Sequence, residues 1–275
     1  TADQLRAEAD EEGASLIATI TDSKGGIVRR LIQPMSTGLR KITWDLRMPG
    51  TAVGLQSSAP AAGGRGGRGG RGGGGGGFVV MPGEYKVALS KRIAGVETEL
   101  VKPVAFKVAL EGEEKLTASE RATIQSLREK VTRVQKSLTA TLEVLDNAQG
   151  RIGAIRSALE QSPTATDALR KEAASIEKAL EDIAFSLRED DISSVLVEPS
   201  PMTTVRRIQD GAFALLGSSL MPTKTRIETL NIGIEELTAI LPKLRVTALE
   251  QLPKLEKQLD AAGIMHTPGR LPQLP

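Results

Sequence analysis

"PVAFKVALEGEEKLTASERATIQSLREKV", residues 103–131, changes its hydrophobic period midway. Before Glu111 the apolar residues alternate, with Val104, Phe106 and Val108 on one side of an extended chain and Lys107 on the other. A period of two marks a half-buried strand. After Leu116 the spacing becomes three and four, through Ile124, Leu127 and Val131, the period of an amphipathic helix. Thr117 with Glu120 three residues on supplies a capping box at the boundary. A strand-forming half is followed by a helix-forming half, so the fold class expected is α+β.

Toward the N-terminus the period of two holds back to Ser15. "SLIATITDSKGGIVRRLIQ" (15–33) reads as two strands around a turn at Asp22-Ser23-Lys24-Gly25-Gly26. "LRKITWDLR" (39–47) places Ile42, Trp44 and Leu46 on one face, and "EYKVALSK" (84–91) does the same with Tyr85, Val87 and Leu89. "AGVETELV" (94–101) offers another short strand before "PVAFKVAL" (103–110). About six short strands predict a small antiparallel β-sandwich of the Ig-like kind. Its core centres on Trp44, Tyr85 and Phe106, while Asp45 points outward and is expected to satisfy a turn near Arg47.

Between these strands lies "GGRGGRGGRGGGGGG" (63–77), with Arg65, Arg68 and Arg71 at a spacing of three. An RNA-gripping box of this type interleaves aromatic residues for base stacking, and none occurs before Phe78. Three arginines would also release few counterions. Overlapping glycine spacings resemble phosphate-binding loops, but no helix and no Lys-Ser/Thr pair follows them. The run is therefore read as a connection between strands and a candidate contact loop, spanning 59–77 with its flanks.

Toward the C-terminus the helical period continues through Val134, Leu138, Leu142, Leu145, Ile152, Ile155 and Leu159. A helix over 117–161 would be roughly 65 Å long. Pro163 ends it, and a second helix follows over 164–188, its seam stepping through Leu169, Ala173, Ile176, Leu180, Ile183 and Leu187. This shorter helix leaves an overhang on the first, near Leu138 to Ile152, that the last helix or another chain must cover. After a linker over 190–201 comes a short helix, Thr203 to Leu216. A final helix then runs from near Pro222 to Ala262. Its expected seam is Ile227, Leu230, Ile234, Leu237, Leu241, Leu244, Ala248, Leu252, Leu255 and Leu259, with Pro242 and Pro253 kinking or breaking it. Gly263 suits the position just past the helix end. The expectation is an antiparallel bundle of long helices.

Bulk properties narrow the function classes. The chain has 275 residues, with 36 basic against 34 acidic side chains, which is no electrostatic footprint for a nucleic acid. Aromatics make up 2%, so stacking platforms are scarce. With no cysteine and a single histidine no Cys/His metal cluster is expected, and His266, in a proline-rich tail, is read as a solvated or packing residue rather than the base of a Ser-His-Asp triad. Glu111, Glu113, Glu114, Glu189, Asp190 and Asp191 sit at element ends and read as solvated charge rather than acid/base machinery. No cofactor is expected, and no apolar run reaches the ~20 residues of a membrane-spanning helix. No signal peptide is visible, and a start at Thr1 rather than Met suggests a processed chain or a piece of a longer one.

Three stretches together resemble a known family. "ITWDLRMPG" (42–50), "MPGEYKV" (81–87) and the tail Thr267-Pro268-Gly269-Arg270-Leu271-Pro272 are similar to the C-terminal region of bacterial sortilin-like or BNR-repeat β-propeller exoproteins, often labelled glycosyl hydrolases. That resemblance covers nearly the whole chain from Ala14. It implies an Ig-like module akin to the flagellar hook-cap type, an extracytoplasmic location (secreted, periplasmic or cell-surface), and docking to propellers, to another copy, or to an envelope complex. No catalytic residue is carried over, because any glycosidase site would belong to propeller repeats that this sequence lacks. The organisation expected is a linker over 1–13, the sandwich over 14–110, the bundle over 111–263 and a Pro-rich tail over 264–275. The function expected is a non-catalytic structural or interaction region. The alternatives are an accessory region of a secreted glycoside hydrolase and a stand-alone subunit of a large assembly.

Overall fold

The computed structural model describes residues 1–2, 13–50, 77–109, 116–188, 202–216, 221–265 and 267–269. The chain divides into two compact units, residues 1–125 with 216–221 and residues 126–215 with 222–275. The class is α+β: a four-stranded antiparallel sheet followed by helices.

In the first unit, β1 (Ser15–Asp22) and β2 (Ile27–Pro34) form a hairpin around the expected turn. The Asp22 carboxylate accepts the backbone N–H groups of Lys24 (2.9 Å) and Gly26 (2.7 Å), and Gly25 takes a φ of +84° that favours glycine. β3 (Gly83–Ile93) and β4 (Val96–Val108) are joined through Ala94 and Gly95, with φ of +47° and +76°. Two successive positive φ values make the turn type that matches strand twist. The sheet order is β2-β1-β3-β4.

Three expected strands come out differently. Residues 94–101 and 103–110 were expected as separate strands, but one continuous β4 runs through most of both. The ladder absorbs the difference as bulges: Lys102 and Pro103 stand against Ala88 alone, and Leu100 has no counterpart between Leu89 and Ser90. Proline has no N–H for a ladder, and an edge-strand bulge is where it is tolerated. Residues 39–47 form no strand; their one β contact is a bridge between Arg47 and Val79. Leu46 adopts a φ of +58°, which ends the alternation and leaves its side chain exposed instead of beside Trp44.

The helices follow the sheet, and the second unit is built from them. α1 (Ala118–Gln161), whose first residues still belong to the first unit, begins at the capping box: the Thr117 N–H donates to Glu120 Oε2 (2.8 Å), and the Glu120 N–H donates to Thr117 Oγ1 (3.3 Å). α2 (Asp167–Leu187) is capped by Thr166, whose hydroxyl accepts from the Leu169 N–H, and it buries all six residues of its seam. α3 (Thr204–Leu216) and α4 (Lys224–Arg245) follow. A π-helical turn, Val246–Gln251, then leads directly into α5 (Leu252–Ala261). Leu138, Leu145, Ala148 and Ile152 share one buried cluster with residues of α2, α4 and α5, so this chain itself covers the α1 stretch that the shorter α2 would leave open.

The last helical run corrects the expected seam at two steps, the first at Gly233, which is buried while the expected Ile234 is only half-buried. At the second, Ile240 is 7% exposed and Leu241 39%, so the stripe passes through Leu237, Ile240 and Leu244. Both positions are apolar, and only the rotation set by 3.6 residues per turn distinguishes them. The prolines do not break the helix. Pro242 lies inside α4, and Pro253 falls just past the π-helical turn at the start of α5, where its missing N–H interrupts the bonding ladder without ending the helical run. The π-turn between them lets the Leu252 N–H reach back to the Thr247 carbonyl, and Ala248 and Leu252 both stay buried. Gly263, at φ +67°, ends the run as expected, with the Ile264 N–H donating to the Leu259 carbonyl at 3.0 Å.

α3 meets α4 at glycines that the sequence reading did not single out. A Cβ on Gly211 would stand 2.6 Å from Leu230 Cβ, and one on Gly233 would stand 2.9 Å from Arg207 Cβ. Gly150 and Gly153, on an exposed face of α1, have nothing within 4 Å of that position. Alanine gains up to about 1 kcal/mol over glycine inside a helix, whereas overpacking costs about 1–3 kcal/mol. Gly150→Ala and Gly153→Ala are therefore expected to stabilise the chain, and Gly211→Ala to destabilise it. Urea unfolding of the three variants checks the opposite signs; stabilisation by Gly211→Ala would contradict the close crossing.

Candidate functional site

The first candidate surface is built around Trp44. Its ring packs edge-on against Tyr85 (centroids 5.9 Å apart) and Phe106 (6.1 Å), and Tyr85 and Phe106 lie 6.0 Å apart. The three residues proposed from the sequence are thus brought together on one side of the sheet, alongside Ile20, Val28 and Val80. Tyr85 is buried and its hydroxyl donates to the Met81 carbonyl at 2.6 Å, while Trp44 is only half-buried.

The polar end of Trp44 organises the backbone beside it. Its indole N–H donates to the Arg47 carbonyl at 2.9 Å, and Asp45 Oδ1 accepts the Arg47 N–H at 3.0 Å. "WDLR" is therefore a tight turn, and Leu46 occupies its positive-φ position. The turn presents Leu46–Met48 to the returning chain. Val80 donates to the Leu46 carbonyl, Met48 to Phe78, and Gly77 to Met48, at 2.8–2.9 Å. Arg47 and Arg29 add side-chain bonds to the Gly77 carbonyl (3.2 Å) and the Met48 carbonyl (3.1 Å). A Cβ on Gly77 would sit 2.4 Å from the Pro49 carbonyl oxygen, so this approach requires glycine. The clamp closes the base of the segment 51–76, whose Arg65, Arg68 and Arg71 lie outside the described residues, as do His266 and the acidic residues 111, 113, 114 and 189–191. Sequence reasoning placed Asp45 near a turn; it missed that the turn replaces a strand.

The second surface is β4, at one edge of the sheet. Val96 and Val104 are 66% and 56% exposed, and Leu100 and Val101 are exposed with them. The bulges and Pro103 blunt this edge against strand addition, so it offers side chains rather than a backbone ladder. Glu97 on β4 accepts a hydrogen bond from Ser90 Oγ (2.6 Å) and pairs with Arg30 of β2. With β1 and β3 between them, these strands would be about 14 Å apart in a flat sheet. The pair therefore indicates a curled sheet. The Ser90 hydroxyl first, and Arg30 second, hold the Glu97 carboxyl below its ordinary pKa.

The third surface is a groove of about 560 Å³ in the helical unit. Ala179, Ile183, Ile240, Pro242 and Val246 give it an apolar lining, with Asp182, Ser186, Lys243 and Thr247 as its polar members. The Ser186 and Thr247 hydroxyls donate to carbonyls of their own helices, at Asp182 (2.9 Å) and Lys243 (3.0 Å). Asp182 pairs with Lys178 at 3.4 Å. Nothing in the sequence pattern pointed to this groove, because its residues come from two segments some sixty positions apart.

Among the described residues, no cluster of three or more His, Cys, Asp or Glu could hold a metal ion, and no helix is long and apolar enough to cross a membrane. Comparison with protein-family models, curated proteins and solved structures finds no match to this chain.

Two measurements follow from these surfaces. Trp44→Ala is expected to destabilise the sheet unit by about 2–3 kcal/mol, below the ~3–5 kcal/mol of a fully buried large aromatic. Urea unfolding checks it, and a loss too small to detect would contradict the aromatic anchor. For Glu97, the folded carboxyl binds its proton less readily than the unfolded one, so its contribution is complete above the ordinary carboxylate range. That contribution disappears as pH falls through the lowered folded value. The stability gap between wild type and Glu97→Gln should therefore shrink from pH 6 to pH 3, and a gap independent of pH would contradict the assignment.

Proposed function

We propose that this chain is a non-catalytic interaction region: an Ig-like sandwich followed by an antiparallel bundle of long helices, belonging to an exported β-propeller protein. The observation carrying this reading is the exposed apolar row Val96, Leu100, Val101 and Val104 on β4, interspersed with Glu97, Glu99, Lys102 and Lys107. Such rows on a folded surface mark places where another surface docks. The clamp around Trp44 supports it, since it joins Met48 to Gly77 and Phe78, the described flanks of the stretch that carries the three arginines in the sequence. The propeller context and the extracytoplasmic location rest on the resemblance of "TWDLR", "PGEYKV" and "TPGRLP". The partner is the protein's own upstream propellers, a second copy, or an envelope complex; an accessory role beside a hydrolase site in those propellers is the same reading with a catalytic neighbour.

The test is the mass of the native polypeptide carrying this sequence, with peptides mapped upstream of Thr1, combined with cross-linking of wild type and a Val101→Glu/Val104→Glu variant. Propeller peptides on the same chain, and cross-links lost in the variant, are expected. A native chain near 29 kDa would replace this reading with a separate subunit, and unchanged cross-links would remove β4 from the interface.

A further inference from the structure

We propose that the groove between α2 and the α4–π-turn segment is a binding site for a small amphiphile with an aliphatic body and one carboxylate. This site is independent of the β4 surface. Its volume of about 560 Å³ lies within the ~300–1,000 Å³ of small-molecule pockets. The α2 wall, from Ala179 to Ser186, extends only about 10 Å, long enough for a medium aliphatic chain and short for a partner helix.

The lining chemistry selects the ligand. Ala179, Ile183, Ile240, Pro242 and Val246 favour an apolar body. Ser186 and Thr247 have committed their hydroxyl protons to the backbone, so they offer no donor to a neutral polar ligand. Asp182 is partly neutralised by Lys178. Lys243 is the cation of the lining, and it forms no ion pair among the described residues. An apolar ligand bearing a carboxylate buries its chain on the floor and brings its charge to that ammonium group. A decylammonium ion would meet the same cation as repulsion.

The π-turn is a second, independent pointer. Such turns are rare and occur frequently at functional sites. Pro253 accounts for the interruption of the ladder, but the first two residues of the turn, Val246 and Thr247, are also the ones that line the groove.

Isothermal titration calorimetry of the full chain with sodium decanoate tests the site, with amide NMR shifts to locate it. The expected result is saturable binding with a Kd on the order of 100 µM and shifts centred on Ala179, Ile183 and Thr247. Lys243→Gln should weaken binding about five-fold, the size of an exposed ion pair; Lys243→Arg should retain it and Val246→Glu abolish it. Lys254→Gln, on α5 and outside the lining, should change nothing. Circular dichroism confirms that each variant is folded. Absence of saturable binding, equal affinity in Lys243→Gln, or tighter binding of decylammonium than of decanoate would overturn the proposal.

Discussion

Burial of one continuous apolar stripe along α1 is the constraint on which the helical unit depends. Helices of this kind gain little from propensity alone and hold together through the face they share. Leu138, Leu145, Ile152, Ile155 and Leu159 of α1 lie in the same cluster as the stripes of α2, α4 and α5. Every irregularity in the last helical run keeps that stripe facing inward. The π-turn shifts the phase so that Thr247 and Ala248 follow Leu244 into the core, and Leu252, Leu255 and Leu259 continue it. The tail also lies against the helices: Ile264 and Thr267 are buried, and Gly269 approaches the side chain of Arg151. Arg151 in turn makes a two-pronged pair with Glu256, at 2.6–3.0 Å.

The sheet unit rests on a smaller nucleus. Four strands have too little area on one face to enclose a core unaided, and the aromatic trio supplies area out of proportion to its number. The indole does two jobs there: its ring packs on Tyr85 and Phe106, and its N–H holds the turn that brings Met48 and Val80 over the same face. A residue that anchors a core and shapes a loop base at once ties the loop's entry and exit to the stability of the sheet.

The two units also differ in what they leave for others. The helical unit encloses most of its apolar stripe and, among the described residues, offers a groove beside the π-turn. The sheet unit leaves the β4 side chains uncovered, while bulges and Pro103 spoil the edge for a backbone ladder. That combination favours contact through side chains over extension of the sheet, which also limits aggregation through the edge.

Periodicity by itself determined the α+β class, the Asp22 turn, the start of α1 at Thr117, the six-residue stripe of α2 and the end of α5 at Gly263. Each is a local rule: a side-chain period, a cap, or a backbone angle that one residue type satisfies. The sequence also marked Trp44, Tyr85 and Phe106 as residues that belong together, because large aromatics are scarce in this chain and fall in strand-like stretches. Only the tertiary structure decided the rest. "TWDLR" alternates like a strand, yet the bond from Trp44 to the Arg47 carbonyl outweighs alternation and makes it a turn. Ile240 and Leu241 are equivalent until a neighbouring helix selects one of them. Gly211 and Gly233 look like weak points in helices until α3 and α4 approach too closely for a Cβ. The groove at Lys243 exists only because segments distant in sequence pack side by side. Local patterns record what one segment requires of itself; packing between distant segments obeys distances that no single stretch encodes.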